Sequence, residues 1–208
     1  MKIYFTRHGQ TEWNVLRKLQ GWNNSNLTEK GIEYAKRLAH RLKDVDFDYI
    51  YSSSQQRALD TAKIIRGNRK SEIICLEELK EIKFGLWEGM ELSKVQELYR
   101  EEYDTYLNRP HQYEPLEGES FSEVYARVER ALDKILSTEA ENILIVSHGI
   151  TLKVLTAIIK GIPLEELYKI SVQPGTALNI CQYDENGFRF IVEGDTSHLS
   201  EGAEDEVR

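Results

Sequence analysis

Apolar residues gather in four short runs over the first 150 positions, and segments with helical spacing lie between them. Residues 3–5 (Ile3, Tyr4, Phe5), 46–51 (with Phe47, Tyr49, Ile50 and Tyr51), 72–76 and 143–146 are too short for helices and predict strands. After a polar loop over 13–26, Thr28 is placed to cap a helix with Ile32, Ala35, Leu38, Ala39 and Leu42 on one face. Ser54 is the expected cap of a second helix, with Ala58, Ala62 and Ile65 inward. Ser120 and Glu123 have capping-box spacing ahead of Phe121, Val124, Tyr125, Val128, Leu132 and Ile135. Residues 150–159 are apolar on most sides, which predicts a buried helix.

The remaining segments are less periodic. Residues 79–89 contain two glycines and predict an ordered loop, and 92–99 predict a helix. Residues 103–115 form an aromatic, proline-bearing stretch. Near the end, 177–183 and 188–192 flank Asp184-Glu185-Asn186-Gly187, a hairpin signal. The alternation predicts an α/β three-layer sandwich: a mostly parallel sheet, helices on both faces, and a C-terminal antiparallel hairpin. One domain over 1–200 is expected, with 90–119 a helical, aromatic cap over the site and 201–208 an acidic tail.

Composition narrows the function. The net charge of −8 disfavours a nucleic-acid partner, because a phosphate backbone needs a basic face. No stretch approaches the roughly 20 apolar residues of a membrane span, and the apolar run before Thr6 (Ile3, Tyr4, Phe5) is too short for a signal peptide. The expectation is a cytoplasmic, soluble protein. Cys75 and Cys181 each fall in an apolar run and are expected to be small buried hydrophobes, not a disulfide or metal pair.

Parallel strands with helical crossovers put all four strand ends on one edge of the sheet, where open α/β folds hold ligands. That edge gathers Arg7 and His8, Arg57, Glu81 and His148. Gly9 is expected to turn the chain sharply and let the backbone approach a ligand. Arginine forks match phosphate oxygens, and a neutral imidazole is a competent nucleophile toward phosphorus. The positive charge of Arg7 and Arg57 should keep that imidazole unprotonated. The helix start at Gly149 offers N–H groups to an anion. Glu81 is the candidate proton donor, which calls for surroundings that favour its neutral form. Spacing leaves open which histidine attacks. It also leaves a zinc site of His8, His148 and Glu81, disfavoured by the flanking arginines, and a simple Arg57–Asp60 pair on one helix. A phosphate-binding module without catalysis is the non-enzyme reading.

Residues 7–14, Arg-His-Gly-Gln-Thr-Glu-Trp-Asn, resemble the RHGxTxxN signature of the phosphoglycerate-mutase-like branch of the histidine phosphatase superfamily. Residues 79–89 resemble that branch's acid-bearing loop, 52–62 its SSxxxRAxxTA segment, and Ser147-His148-Gly149 its second histidine motif. From Arg7 through His198 the chain is similar to bacterial broad-specificity phosphatases of this branch. The resemblance implies that His8 is the phosphorylated nucleophile, Glu81 the proton donor, and Arg7, Arg57 and His148 the phosphate pocket. Asn14, Gln20, Gly21 and Gly149 complete the implied binding set. It implies no metal or organic cofactor and a small phosphorylated substrate.

Mutases of the branch carry extra basic residues after the acid-bearing loop, whereas 90–119 here holds only Lys94, Arg100 and Arg109. Tyr99, Tyr103, Tyr106, Tyr113 and Phe121 stand there instead, which favours hydrolysis of a monoester with an apolar leaving group. Phosphoglycerate mutase activity is the alternative. The tyrosines also fit ordinary core or a homodimer contact. Phe84 and Trp87 are expected to pack the Glu81 loop, and His40, His111 and His198 are assigned no role.

Overall fold

The computed structural model describes residues 1–199; the expected acidic tail at 201–208 lies outside the described residues. Six strands form one sheet in the order β3-β2-β4-β1-β5-β6. Strands β1 (Lys2–Arg7), β2 (Tyr49–Ser53), β3 (Glu72–Leu76) and β4 (Asn142–Ser147) are parallel. Strands β5 (Leu178–Asp184) and β6 (Gly187–Asp195) form the antiparallel hairpin, with β5 beside β1.

Side chains alternate across the sheet. Ile3, Phe5, Ile143 and Ile145 share a core with helices α6 (Phe121–Leu136) and α7 (Gly149–Lys160). Tyr4, Leu144, Val146 and Ile50 face helices α2 (Glu29–Arg41) and α3 (Gln56–Arg66). The capping predictions hold at two helices. Thr28 accepts from the Gly31 N–H at 3.0 Å, and Ser120 forms a full capping box with Glu123. Each such cap contributes about 1 kcal/mol. Helix α7, apolar on most sides, is buried from Ile150 to Leu152 and again from Val154 to Ala157.

Several expectations need correction. The polar loop after β1 contains a short helix, α1 (Glu12–Val15), capped by Thr11 and Asn14 acting on each other's backbone. The cap of α3 is Gln55, without a side-chain bond, and not Ser54. Strand β2 starts at Tyr49, because Asp48 just before it turns its carboxylate onto the N–H groups of Glu141 and Asn142. Cys75 is exposed, since β3 is an edge strand, whereas Cys181 is buried as expected. The 90–119 region holds α4 (Leu92–Leu98) and a further helix, α5 (Arg100–Asn108), that runs into the aromatic stretch. Helix α5 has no fully buried residue, so it lacks a strong apolar stripe.

Candidate active site

The register of β1 on β4 builds the site. Arg7 lies opposite Ser147, so His8 and His148 leave the sheet together, tied by the His8 N–H to the Ser147 carbonyl at 2.9 Å. Their ring centroids are 5.2 Å apart and both are buried. Nδ1 of His8 is 2.7 Å from the Gly9 carbonyl oxygen. A carbonyl only accepts, so Nδ1 carries the proton and Nε2 presents its lone pair. Nε of Arg57 donates to that Nε2 at 3.3 Å. Burial first, then the charges of Arg57 and Arg7, hold the His8 imidazole well below its usual proton affinity. Burial, Arg57, His8 and Arg7 do the same to His148. Nε2 of His148 meets the Ser53 hydroxyl at 2.7 Å.

Arg57 does not pair with Asp60, which meets Gln56 and Lys63 instead. Its guanidinium turns inward and donates to the carbonyls of Gly21 and Asn23, at 2.9 and 2.7 Å. Burial pushes its pKa down to about 10, which leaves it charged at neutral pH. Arg7 donates through Nη1 to the Gln173 carbonyl at 3.1 Å.

The Glu81 carboxylate sits on the start of α7. Its Oε1 accepts from the N–H groups of Ile82, Ile150 and Thr151 at 3.0, 3.1 and 3.2 Å. These three main-chain donors fix the carboxylate at the junction of the acid-bearing loop and α7. The bonds also occupy the Ile150 and Thr151 N–H groups, while Gly149 at the α7 start lines the cavity. A Cβ on Gly149 would stand 3.5 Å from Oε2 of Glu81 and 3.6 Å from Nε of Arg7. At Gly9 a Cβ would lie 2.6 Å from the Gly31 carbonyl oxygen of α2, so packing alone already excludes a side chain there.

A cavity of about 240 Å³ opens from these groups. Arg7, His8, Arg57, Glu81 and Gly149 line its floor, with Asn14, Gln20 and Gly21 beside them. Both ends of the Gln20 amide are engaged, by Thr11 and Ser25, and Asn14 Oδ1 accepts from Thr11; these side chains shape the loop. Helices α4 and α5 form the roof through Leu92, Tyr103, Tyr106 and Leu107. The tyrosines therefore divide. Tyr103 and Tyr106 line the cavity while also packing on Trp87, whereas Tyr113 is fully within the core with Trp87 and Phe121. Phe84 does both, stacking on Trp87 and lining the cavity. His40 and His111 are exposed. Among the described residues no group of three or more His, Cys, Asp or Glu side chains is arranged to hold a metal ion.

Sequence reasoning missed the groups that position Glu81. Its N–H donates to Gln55 Oε1 at 2.8 Å, and its carbonyl accepts from Trp22 Nε1 at 2.9 Å and Arg127 Nη2 at 3.1 Å. Arg127 also donates to the carbonyls of Glu78 and Lys80, at 2.7 and 2.6 Å. It pairs with Glu119 at 2.9 Å, and Glu119 in turn accepts from the Lys83 N–H. One signal was present: Arg127 interrupts the inward stripe of α6 between Val124 and Val128, where a charge needs partners.

Among the described residues no helix is long and apolar enough to cross a membrane. The chain matches the histidine phosphatase superfamily (branch 1) over residues 3–196. It is 42% identical to the solved structure of Bacillus stearothermophilus YhfR, covering 96% of this chain and 99% of that one with a TM-score of 0.91. It is 29% identical over 202 residues to phosphoserine phosphatase 1 of Hydrogenobacter thermophilus, covering 97% of this chain and 95% of the relative. It is 30% identical over 214 residues to a probable phosphoglycerate mutase GpmB of Proteus mirabilis, covering 100% and 99%. With a match that runs from the first strand to the end of the hairpin, this chain belongs to branch 1 of the histidine phosphatase superfamily.

Proposed function

We propose that this protein hydrolyses phosphomonoesters of small metabolites through a phosphohistidine on Nε2 of His8, with broad tolerance for the leaving group. The observation that carries the reading is the His8 ring itself. Its proton is held on Nδ1 by Gly9, its lone pair is aimed at Arg57, and its surroundings keep it neutral.

A phosphate entering the cavity takes Arg57 Nε from Nε2 and lies between Arg57, Arg7, His148 and the Gly149 N–H. Their charges and donors offset the negative charge on its non-bridging oxygens. The N–P bond forms as the ester P–O bond breaks, and the Nδ1–H···O=C bond stabilises the positive charge that the ring gains. Glu81, in its acid form, delivers a proton to the departing alkoxide. Glu81, now a carboxylate, takes a proton from water as the water attacks phosphorus. The P–N bond breaks, phosphate leaves and His8 is neutral again.

His8→Ala should abolish turnover, and quenching without acid should trap labelled phosphate on His8 of the wild type; label on a serine or cysteine overturns the assignment. Glu81→Gln should slow alkyl phosphates far more than p-nitrophenyl phosphate, whose leaving group needs little protonation. Equal losses on both would remove Glu81 from the acid role. The relative named as a phosphoglycerate mutase gives the second reading its support. Phosphate release measured with and without a bisphosphoglycerate primer separates the two: isomerisation of phosphoglycerate faster than phosphate release favours the mutase.

A further inference from the structure

Beyond the phosphate-binding floor, the cavity wall carries a second pair of cations. Arg17 and Lys18 both line it, and apolar Leu19 and Leu92 line it with them. Neither cationic side chain has a hydrogen bond or an acidic partner among the described residues; Lys18 only lies over the Trp13 ring, 5.9 Å from its centroid. This contrasts with other cations of the chain, such as Arg109 on Asp104 and Lys80 on Glu77. In a chain with 35 acidic and 27 basic residues, acidic partners are not scarce.

The backbone fixes where these two cations stand. Arg17 adopts the left-handed conformation, φ 52°, which costs a residue with a Cβ roughly 1–2 kcal/mol. Its N–H donates to the Asn14 carbonyl at 3.1 Å, and its carbonyl accepts from the Leu92 N–H at 2.9 Å. The Lys18 N–H donates to the Trp13 carbonyl at 2.9 Å. The segment therefore bridges the phosphate loop and the cap. From Gly21, whose carbonyl holds Arg57, the chain runs back four residues along the wall to Arg17. That span is at most about 14 Å.

We propose that Arg17 and Lys18 form a second anion site, and that the preferred substrates are phosphomonoesters whose apolar body ends in a further carboxylate or phosphate. The proposal rests on the phosphatase reading and names the substrate class of that same cavity. The reacting phosphate occupies the floor, the apolar body lies against Leu19 and Leu92, and the distal anion meets the two free cations at the mouth. Arg17 is exposed and Lys18 half-buried, so their attraction is screened by salt.

Three phenyl phosphates with similar leaving groups test it: the 4-butyl, 4-(2-carboxyethyl) and 4-(2-phosphonoethyl) esters. Wild-type kcat/KM at low salt should favour both anionic esters over the butyl ester by about 3- to 10-fold. The two anionic arms show whether carboxylate or phosphate is preferred. The ratio should fall toward one in 0.5 M NaCl, and in the Arg17→Asn, Lys18→Gln double variant, in which asparagine tolerates the left-handed backbone. A butyl ester turned over as well as the anionic ones overturns the second site and leaves the phosphatase reading standing. So does a ratio that survives both salt and the double substitution. Absence of turnover on every ester, p-nitrophenyl phosphate included, overturns both.

Discussion

The fate of the His8 proton follows from what surrounds the ring. Burial removes water, two guanidinium groups repel a further positive charge, and Gly9 engages the only N–H of the neutral form. His148 is under the same influences. Both folded-state proton affinities lie below the unfolded value of about 6.5. Keeping the rings neutral therefore costs nothing above that pH, and the native state loses stability as pH falls below it, where the unfolded chain binds more protons. Each ring contributes a slope of up to about 1.4 kcal/mol per pH unit in that window. Urea unfolding of His8→Asn and His148→Asn between about pH 7.5 and pH 5 should show shallower acid losses than the wild type; parallel curves would contradict the depressed affinities. The charges and imidazoles behind this behaviour were legible in the sequence, because motif spacing and strand ends placed all of them. The Nδ1 proton on Gly9 was not, since a hydrogen bond to a backbone carbonyl leaves no mark on residue type.

At the scale of elements, the acid-bearing loop has no regular structure of its own beyond two short 3₁₀ turns around it. It is held from outside. Arg127 on α6 donates to the carbonyls of Glu78, just before that loop, and of Lys80 and Glu81 within it, and is only 6% exposed, so its charge depends on Glu119. Removing one partner of such a buried pair costs about 3–5 kcal/mol. Arg127→Met should therefore lower the unfolding midpoint. With Glu81 as the proposed proton donor, it should also reduce kcat on alkyl phosphates more than on p-nitrophenyl phosphate, because a displaced acid delivers its proton badly. Arg127→Lys should restore part of the stability and less of the alkyl-ester rate, since an ammonium cannot reproduce the planar fork. Equal loss on both substrates would make the clamp purely structural. The helices with strong stripes and caps, α2 and α6, were legible in outline. Helix α5 was not, because its inward residues, Tyr103 and Tyr106, are only half-buried, packing on Trp87 on one side and lining the cavity on the other, so no fully buried stripe marks the helix.

For the whole molecule, the question is how a cap inserted between the acid-bearing loop and α6 stays registered over the sheet edge. Its neck is a backbone-to-backbone contact. Gly85 has φ 60°, and a Cβ there would lie 2.0 Å from the Leu116 carbonyl oxygen and 2.7 Å from the Gly118 N. The Leu86 N–H donates to that same Leu116 carbonyl at 3.0 Å, and the Glu119 N–H to the Lys83 carbonyl at 2.8 Å. Both strands of the neck thus close where Glu119 begins its contact with Arg127. The sequence showed two glycines in this segment but not their opposite number at Gly118, because the contact spans residues far apart in the chain. Gly85→Ala cannot be absorbed by a flexible side chain, since the obstructing atoms are backbone. The left-handed conformation alone costs about 1–2 kcal/mol, and the neck must also part. The variant should therefore unfold at lower urea, and protease should cut it within 90–116 before the sheet is lost. Its kcat/KM should fall most for esters with long apolar groups, which depend on the roof of Leu92, Tyr103, Tyr106 and Leu107. If Gly85→Ala keeps wild-type stability and an unchanged preference among alkyl chain lengths, the cap is placed by its aromatic packing on Trp87 and Phe121 and not by its neck.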